Sequence, residues 1–492
     1  MTTERLPMRT KLGFGVGSIG ESAIGIAFAT WNVLFYQNVL GLPGKLAAIA
    51  GCIALVVDAI FDPVVGSFSD RFRSRLGRRH PFLYLAPIPL GIAFTLVYMP
   101  PAGMSHAGLF GWLTIFAILQ RQAMTLYQVP HLALGAELST DYRERSIVMS
   151  YNTIFAVVGG AAAYAYGWNC IGKAGGPAVP GGYFTMALGV SVIAALAIFI
   201  SAYSTQDRIP HMVQPRADAP RFTVIQLLRE VRGCFDNYNY RMLLIGLLFL
   251  SLTTGTRETL HSYTALFFWE LPASKLARFA AASPPAFIIG FFLTVRMHDW
   301  LDKRKTMVIA MFILMVGSGV PVLLGLAGLM APKGSDALVA QLFFFVFTFY
   351  LGIAILTITL LSALADIVDE HELKTGLRQE GVFFASRTFF MKMSTAVGLV
   401  VGGFVLDAVG FPTGAKPGQV AEEIVNKLAV FEGPMMAVFA LVATYFYGRY
   451  GIDRARHNEI RRALAERRAH SAPPAAASLP AAPVAPPAPA IG

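Results

Sequence analysis

The 492-residue sequence predicts an all-α membrane protein of twelve transmembrane helices in two six-helix bundles. Three observations predict it. Apolar residues make up 55% of the chain and charged residues only 14%, whereas soluble domains carry roughly 25% charged residues. Windows of about 20 mostly apolar residues, long enough to cross a bilayer, recur along almost its whole length. The longest internal polar segment, 204–238, falls where it leaves six such windows on either side.

The expected spans are 13–40, 43–69, 82–100, 108–136, 146–170, 180–203, 239–268, 276–298, 306–331, 337–365, 380–409 and 429–449. They define a short N-terminus (1–12), a first bundle (13–203), a central loop (204–238), a second bundle (239–450) and a C-terminal tail (451–492). MTTERLPMRTKLG is short and basic, and a run of full spanning length follows it, so no cleavable signal is expected. FTVIQLLREVRGCF in the central loop has apolar residues at helical spacing and predicts a short interfacial helix. The tail is basic at first, then Ala/Pro-rich (SAPPAAASLPAAPVAPPAPAIG), a composition expected to stay disordered.

The net charge of +11 is distributed in a way that excludes nucleic acid as its reason. Five arginines crowd into 71–79, and basic clusters follow at Arg143/Arg145, along 208–241, at Lys303–Lys305 and along 449–468. The turn PPAGMSHAG (100–108) has no Lys or Arg. Basic loops after every second span set topology, with both termini cytoplasmic in a bacterial-type inner membrane. Cys52, Cys170 and Cys234 fall in two spans and a loop and form no disulfide or metal pattern. No Ser–His–Asp set or phosphate-binding glycine loop has a fitting context. Neither an enzyme nor a resident cofactor is therefore expected, and the chain is expected to act as a monomer.

Charged side chains inside spans are expensive and mark function. In VVDAIFDPVVG (56–66), Asp58 and Asp62 are four apart and share one helix face. Pro63 leaves the carbonyl of Ala59 without its helical donor. Paired carboxylates with a free carbonyl suit a hard cation, and a proton can use the same pair. The alternative is a structural pair neutralised by Lys or Arg from another helix. Lys392, in SRTFFMKMSTAVG, is the natural counter-charge, with Arg387 nearby; a lysine there can also snorkel to the interface. Arg257, Glu258 and His261 in TTGTRETLHSY form a polar stripe, read either as a cavity wall or as a local network holding helices together. Glu21 and Arg121 fit substrate contact or an interhelical ion pair equally. In YQVPHLALG, Tyr127 can stack on a sugar face and Gln128 and His131 can bind hydroxyls, although buried Gln and His also glue membrane helices together. For His131 taken alone the glue reading is favoured.

These residues carry a resemblance. GSFSDRFRSRLGRRHPF (66–82) resembles the loop between the second and third spans of major facilitator transporters. DAIFDPVVG with GRRHPF, VPHLALGAELSTDYRERS, and ALADIVDEHELKTGLRQEGVFFASRTFFMK together resemble the glycoside–pentoside–hexuronide:cation symporters, the family of the melibiose permeases, over roughly 11–450. The resemblance implies a major facilitator fold working by alternating access. It implies cation coupling at Asp58 and Asp62 with Thr125 and Lys392 beside them, and a cytoplasmic gating network of Asp70, Arg71, Arg78, Glu137, Arg145, Asp366 and Asp369 holding the outward-facing state. The departures concern substrate and ion. Gln128 stands where sodium-using sugar carriers keep an acid, and Phe61 where they carry Asn. Ser22, Leu132 and Thr153 replace the family's sugar-gripping acid, tryptophan and arginine.

The expectation is therefore uptake of a sugar or glycoside with a proton, or else sodium. Ser22, Tyr127, Gln128, His131, Thr153, Arg257 and His261 would line the substrate cavity. A lysolipid or other amphiphile on the same fold is the alternative, and a non-transporting membrane sensor the third reading.

Overall fold

The computed structural model describes residues 6–139, 141–211, 233, 235–376 and 379–471. The helices are α1 (Met8–Leu34), α2 (Gly44–Arg71), α3 (His80–Leu85), α4 (Pro87–Val97), α5 (His106–Glu137), α6 (Tyr142–Lys173) and α7 (Pro180–Thr205) in the first half. The second half holds α8 (Tyr238–Tyr263), α9 (Ser283–Leu326), α10 (Asp336–Thr375), α11 (Glu380–Ala408), α12 (Glu422–Val430) and α13 (Met436–Tyr447). A last helix, α14 (Arg454–Ser471), follows. α1 and α8 each end in a turn of π-helix, and a third such turn joins α12 to α13.

Among the described residues, nine helical stretches are long and apolar enough to span a membrane. α5 and α8 are also long enough, at 32 and 26 residues, but carry the polar side chains of the site. The stretch 273–326 is two passes joined at Asp302, whose φ of 63° and ψ of 161° break the helix. Its contacts show the reversal. Gly290 meets Ala354, His298 meets Thr359 at 3.1 Å and Lys303 meets Asp366 at 2.6 Å, after which Leu314 returns to Gly352. This brings the passes to twelve, close to the expected spans.

Two outcomes differ from the sequence reading. The basic stretch after 451 is not a bare tail: α14 lays Ile460 and Leu464 into the apolar core of the second half, and Arg454 Nη2 donates to the carbonyls of His298 and Asp299. Ile460 and Leu464 are four apart, so they share a helix face. The predicted interfacial helix of the central loop and the Ala/Pro segment lie outside the described residues, apart from the first positions of the latter and the last of the former.

Side chains such as Ile88, Ile115, Leu196 and Phe292 point outward, where lipid is the solvent. Within and between the bundles, small residues bring backbones together. A side chain on Gly398 would strike the carbonyl of Ser251 and the backbone of Gly255, and one on Gly403 would strike Ala48 and the carbonyl of Gly44. The second of these contacts joins the halves. Around it, the Tyr263 hydroxyl donates to Gln37 at 2.6 Å, the Ser262 hydroxyl to the Thr30 carbonyl at 3.3 Å, and Lys45 meets Asp407 at 3.3 Å. These contacts gather where α1, α8 and α11 end and α2 begins, so that end of the molecule is sealed.

Candidate functional site

α2 runs unbroken through Pro63 and presents Asp58 and Asp62 one turn apart toward the second bundle. Asp58 is 4% exposed. Lys392 of α11 reaches across and places Nζ 2.8 Å from Asp58 Oδ2 and 2.5 Å from Asp62 Oδ2. On the other side, Thr125 Oγ1 of α5 lies 2.5 Å from Asp58 Oδ1 and 3.1 Å from Asp62 Oδ1. One hydroxyl has one proton, so Thr125 serves the two carboxylates in turn. One turn earlier on α5, Arg121 Nη1 lies 3.8 Å from Asp58 Oδ2, with its guanidinium carbon 5.6 Å from the Phe28 ring centroid. Of the two open readings of Lys392, the interior partner is the one seen. The ammonium bridges the bundles at mid-helix, a charge pair between the two halves.

Glu21 of α1 accepts from Gln128 Nε2, so the polar face of α5 is tied to the first helix one turn away from the acid pair. Ser22 is partly accessible beside Gly160. Thr153 is exposed on α6, three turns before Tyr164 and on the same face. Phe61 and Leu132, at the two positions where the family carries Asn and Trp, are 45% and 43% exposed.

Tyr127 and His131 do not line the cavity. Both are fully buried inside the first bundle. The His131 ring stacks on Phe14 at 4.1 Å and on Tyr127 at 4.8 Å, and its Nε2 lies 3.1 Å from the Phe14 carbonyl. Ser201 Oγ is 3.3 Å from the same nitrogen. An imidazole enclosed by two rings, a carbonyl and a hydroxyl is interhelical glue, the reading favoured for this residue taken alone.

In the second half, Arg257 and His261 converge on one partner that the sequence reading had not named. Glu432 lies in the π-turn before α13 and is buried; its Oε1 is 3.3 Å from Arg257 Nε and 3.1 Å from His261 Nδ1. Arg257 also packs over Phe349, 4.0 Å from the ring centroid. A void of about 30 Å³ beside them, enough for one water, is lined by Trp269, Ser318 and Val322. The network reading of the Arg257–His261 stripe thus describes Arg257 and His261. The cavity reading describes its third member: Glu258 is exposed, yet within electrostatic reach of Arg257 and of Arg121 from the opposite bundle.

Of the residues expected to gate the cytoplasmic side, Asp70, Arg78 and Glu137 join a network in the first bundle and Asp366 one in the second. Glu137 holds Arg78 at 2.8 Å and Arg79 at 2.9 Å, and Arg79 also pairs with Asp70. Asp366 holds Lys303 at 2.6 Å, His457 at 3.0 Å and the Tyr450 hydroxyl at 3.1 Å. Arg71 closes α2, Arg145 Nε donates to the Ser139 carbonyl at 2.7 Å, and Asp369 sits one turn after Asp366 on α10. Among the described residues no cluster of His, Cys, Asp and Glu is arranged to hold a metal ion, and Cys52 and Cys170 are free thiols.

Comparison with known proteins follows the same lines. The profile of a family described as MFS/sugar transport protein matches residues 13–454. The inner membrane symporter YicJ of Escherichia coli (strain K12) is 25% identical over 91% of both chains. The isoprimeverose transporter of Lactiplantibacillus pentosus is 24% identical over 80% of this chain and 79% of its own. The sodium-dependent lysophosphatidylcholine symporter 1 of Gallus gallus is 24% identical over 95% of this chain and 91% of its own. Among solved structures, a partially occluded inward-open form of the xylose transporter XylE from E. coli superposes with a TM-score of 0.60 at 12% identity, covering 90% of this chain and 99% of that one.

Proposed function

The chain belongs to the sugar-transport branch of the major facilitator superfamily, the glycoside–pentoside–hexuronide:cation symporters, and from that membership we propose that it takes up a sugar or glycoside together with a proton. It is an integral membrane symporter of the bacterial inner-membrane type and not an enzyme. The observation that carries the coupled reading is the Lys392 ammonium held between Asp58 and Asp62 across the two bundles.

The acids and the lysine belong to different halves, so anything that neutralises the acids releases the halves from one another. A proton does this by removing one negative charge, and a metal cation by taking the ammonium's place. The oxygen donors around the pair are the two carboxylates and Thr125, with Phe61 where an amide would add another. That set is thin for a hard cation, which collects several oxygens, and it favours the proton over sodium. The excess of acid supports coupling to a cation. Glu21, Asp58, Asp62, Glu258 and Glu432 stand against three basic side chains, Arg121, Arg257 and Lys392. Ionised together they leave two negative charges, one of which an entering monovalent cation offsets. Ser22, Gln128 and Thr153 supply hydroxyl and amide groups on the first-bundle side of the cavity. Both termini face the cytoplasm in this reading, and the sealed end faces outward.

The test is external pH in lightly buffered, de-energised cells expressing the protein, on adding glycosides, pentosides and hexuronides one at a time. Transient alkalinisation with one compound, lost in Asp62→Asn, is the expected result. Silence across the panel with the protein in the membrane sinks the proton–sugar reading.

A second reading keeps the fold and changes the cargo. Phe61 and Leu132 place accessible apolar surface where the family's sugar carriers have polar or stacking groups, and an amphiphile would lay its chain there. Competition between labelled glycosides and a lysolipid for uptake separates the two.

A further inference from the structure

Three features of the molecule remain outside the coupling scheme. The apolar groove between α4 and α7 faces lipid, and nothing in it selects an occupant. The cluster of Lys303, Asp366 and His457 is satisfied within its own half. Glu258 is neither covered nor satisfied. It is an exposed carboxylate on a helix whose neighbouring side chains Arg257 and Thr259 are buried, and among the described residues it has no hydrogen-bond or ion-pair partner. Its electrostatic neighbours come from both bundles: Arg121 from α5, Arg257 from its own helix, and Tyr350 from α10. A carboxylate facing both halves is in the space between them, where cargo passes.

We infer that Glu258 is the carboxylate that grips the sugar, from the second bundle. The inference rests on the proton–sugar reading above. The acid with which the family's sugar carriers grip from the first span is replaced here by Ser22, and Glu21 is occupied by Gln128. Glu258 supplies the missing acceptor from the opposite wall. A free carboxylate accepts two neighbouring hydroxyls in a bidentate manner, and charge-assisted bonds of this kind are the strong ones. Tyr164 and Tyr350, both within reach of Arg257, offer ring surface for the C–H face of the ring. The flanking guanidiniums choose the chemical class. A quaternary ammonium would be repelled by the two guanidiniums beside Glu258, whereas a neutral polyol is not.

Arg121 lies between Glu258 and Asp58 and belongs electrostatically to both.

The experiment uses the full chain in proteoliposomes, with radiolabelled methyl glycosides of hexoses, pentoses and a hexuronic acid, and with lysophosphatidylcholine as the competing cargo. Counterflow at equal pH on the two sides gives KM without coupling, and accumulation under a pH gradient gives the proton-to-sugar ratio. Glu258→Gln is expected to raise the counterflow KM at least tenfold with the ratio unchanged, and Glu258→Asp to raise it about threefold. Purified variants are compared by Tm, and if Glu258→Gln does not fold, Glu258→Asp decides. An unchanged KM in a folded Glu258→Gln protein overturns the grip and leaves the proton–sugar reading standing, because the wild type still couples. A changed ratio at unchanged KM also overturns it, by making Glu258 a coupling group. Wild-type transport of lysophosphatidylcholine and of no glycoside overturns both readings together.

Discussion

The acid pair of the first bundle and the acid of the second solve the same problem in opposite ways. Asp58 and Asp62 share a lysine from across the interface. Glu432 keeps Arg257 and His261 within its own half. Each cluster balances buried charge with charge, and each loses its balance if one partner is removed. The difference is what moves when it does. Breaking the Glu432 cluster disturbs one bundle from inside, while breaking the Asp–Lys cluster frees two rigid bodies. Buried ion pairs within a body are therefore read as packing, and those between bodies as function.

The sharpest way to break the comparison is Asp62→Asn. It is expected to abolish gradient-driven accumulation altogether while counterflow persists; normal accumulation would make the inter-bundle pair merely structural. Next in size is Glu432→Ala, which strands Arg257 beside His261. Removing one partner of a buried pair destabilises by about 3–5 kcal/mol, so a large fall in Tm is expected, with the proton-to-sugar ratio intact in whatever protein survives. A lower ratio would move Glu432 into the coupling machinery. Thr125→Val comes third. It deletes the hydroxyl serving both acids, a bond to a charged group worth about 1.5–3 kcal/mol, and should weaken apparent cation affinity by roughly tenfold or more with a fall in Tm smaller than that of Glu432→Ala. The smallest effect is expected from Lys45→Ala. Lys45 also bridges the halves, but at the exposed sealed end and 3.3 Å from Asp407. Exposed pairs contribute about 0–1 kcal/mol, and uptake rates should stay within twofold of wild type. A large loss would show that bridging the halves matters more than burial does.

The helices and their order were legible in the sequence because lipid leaves a spanning backbone only helices or closed barrels, and unbroken apolar runs of about 20 residues select helices. The acid pair was legible for a related reason: two carboxylates four apart in an apolar run have few uses. What the sequence did not disclose was who pairs with whom. Arg257 and Glu258 are adjacent, yet Arg257 turns to Glu432, a residue 175 positions later. The signal for Glu432 was present, as a lone acid in the otherwise apolar span 429–449. Tyr127 and His131 share a span with Thr125 and Gln128, but a helix has several faces, and theirs points into the bundle. Spacing along one helix fixes which residues share a face and leaves open what that face meets. α14 was masked by its own basicity, although Ile460 and Leu464 at helical spacing were there to be read.

The glycine seam and the lysine bridge lie on the same two helices, and that fixes a leverage. At about 1.5 Å per residue, Gly44 is about 21 Å along α2 from Asp58, and Gly403 about 16 Å along α11 from Lys392. With arms of that length, a tilt of about ten degrees between α2 and α11 moves the far contact by about 3 Å. The ammonium then serves as a fulcrum, and the seam, smooth for want of side chains on Gly44 and Gly403, is the end that lifts. A pivot made of charge has a further property that a pivot made of packing lacks: a single change of charge can unship it.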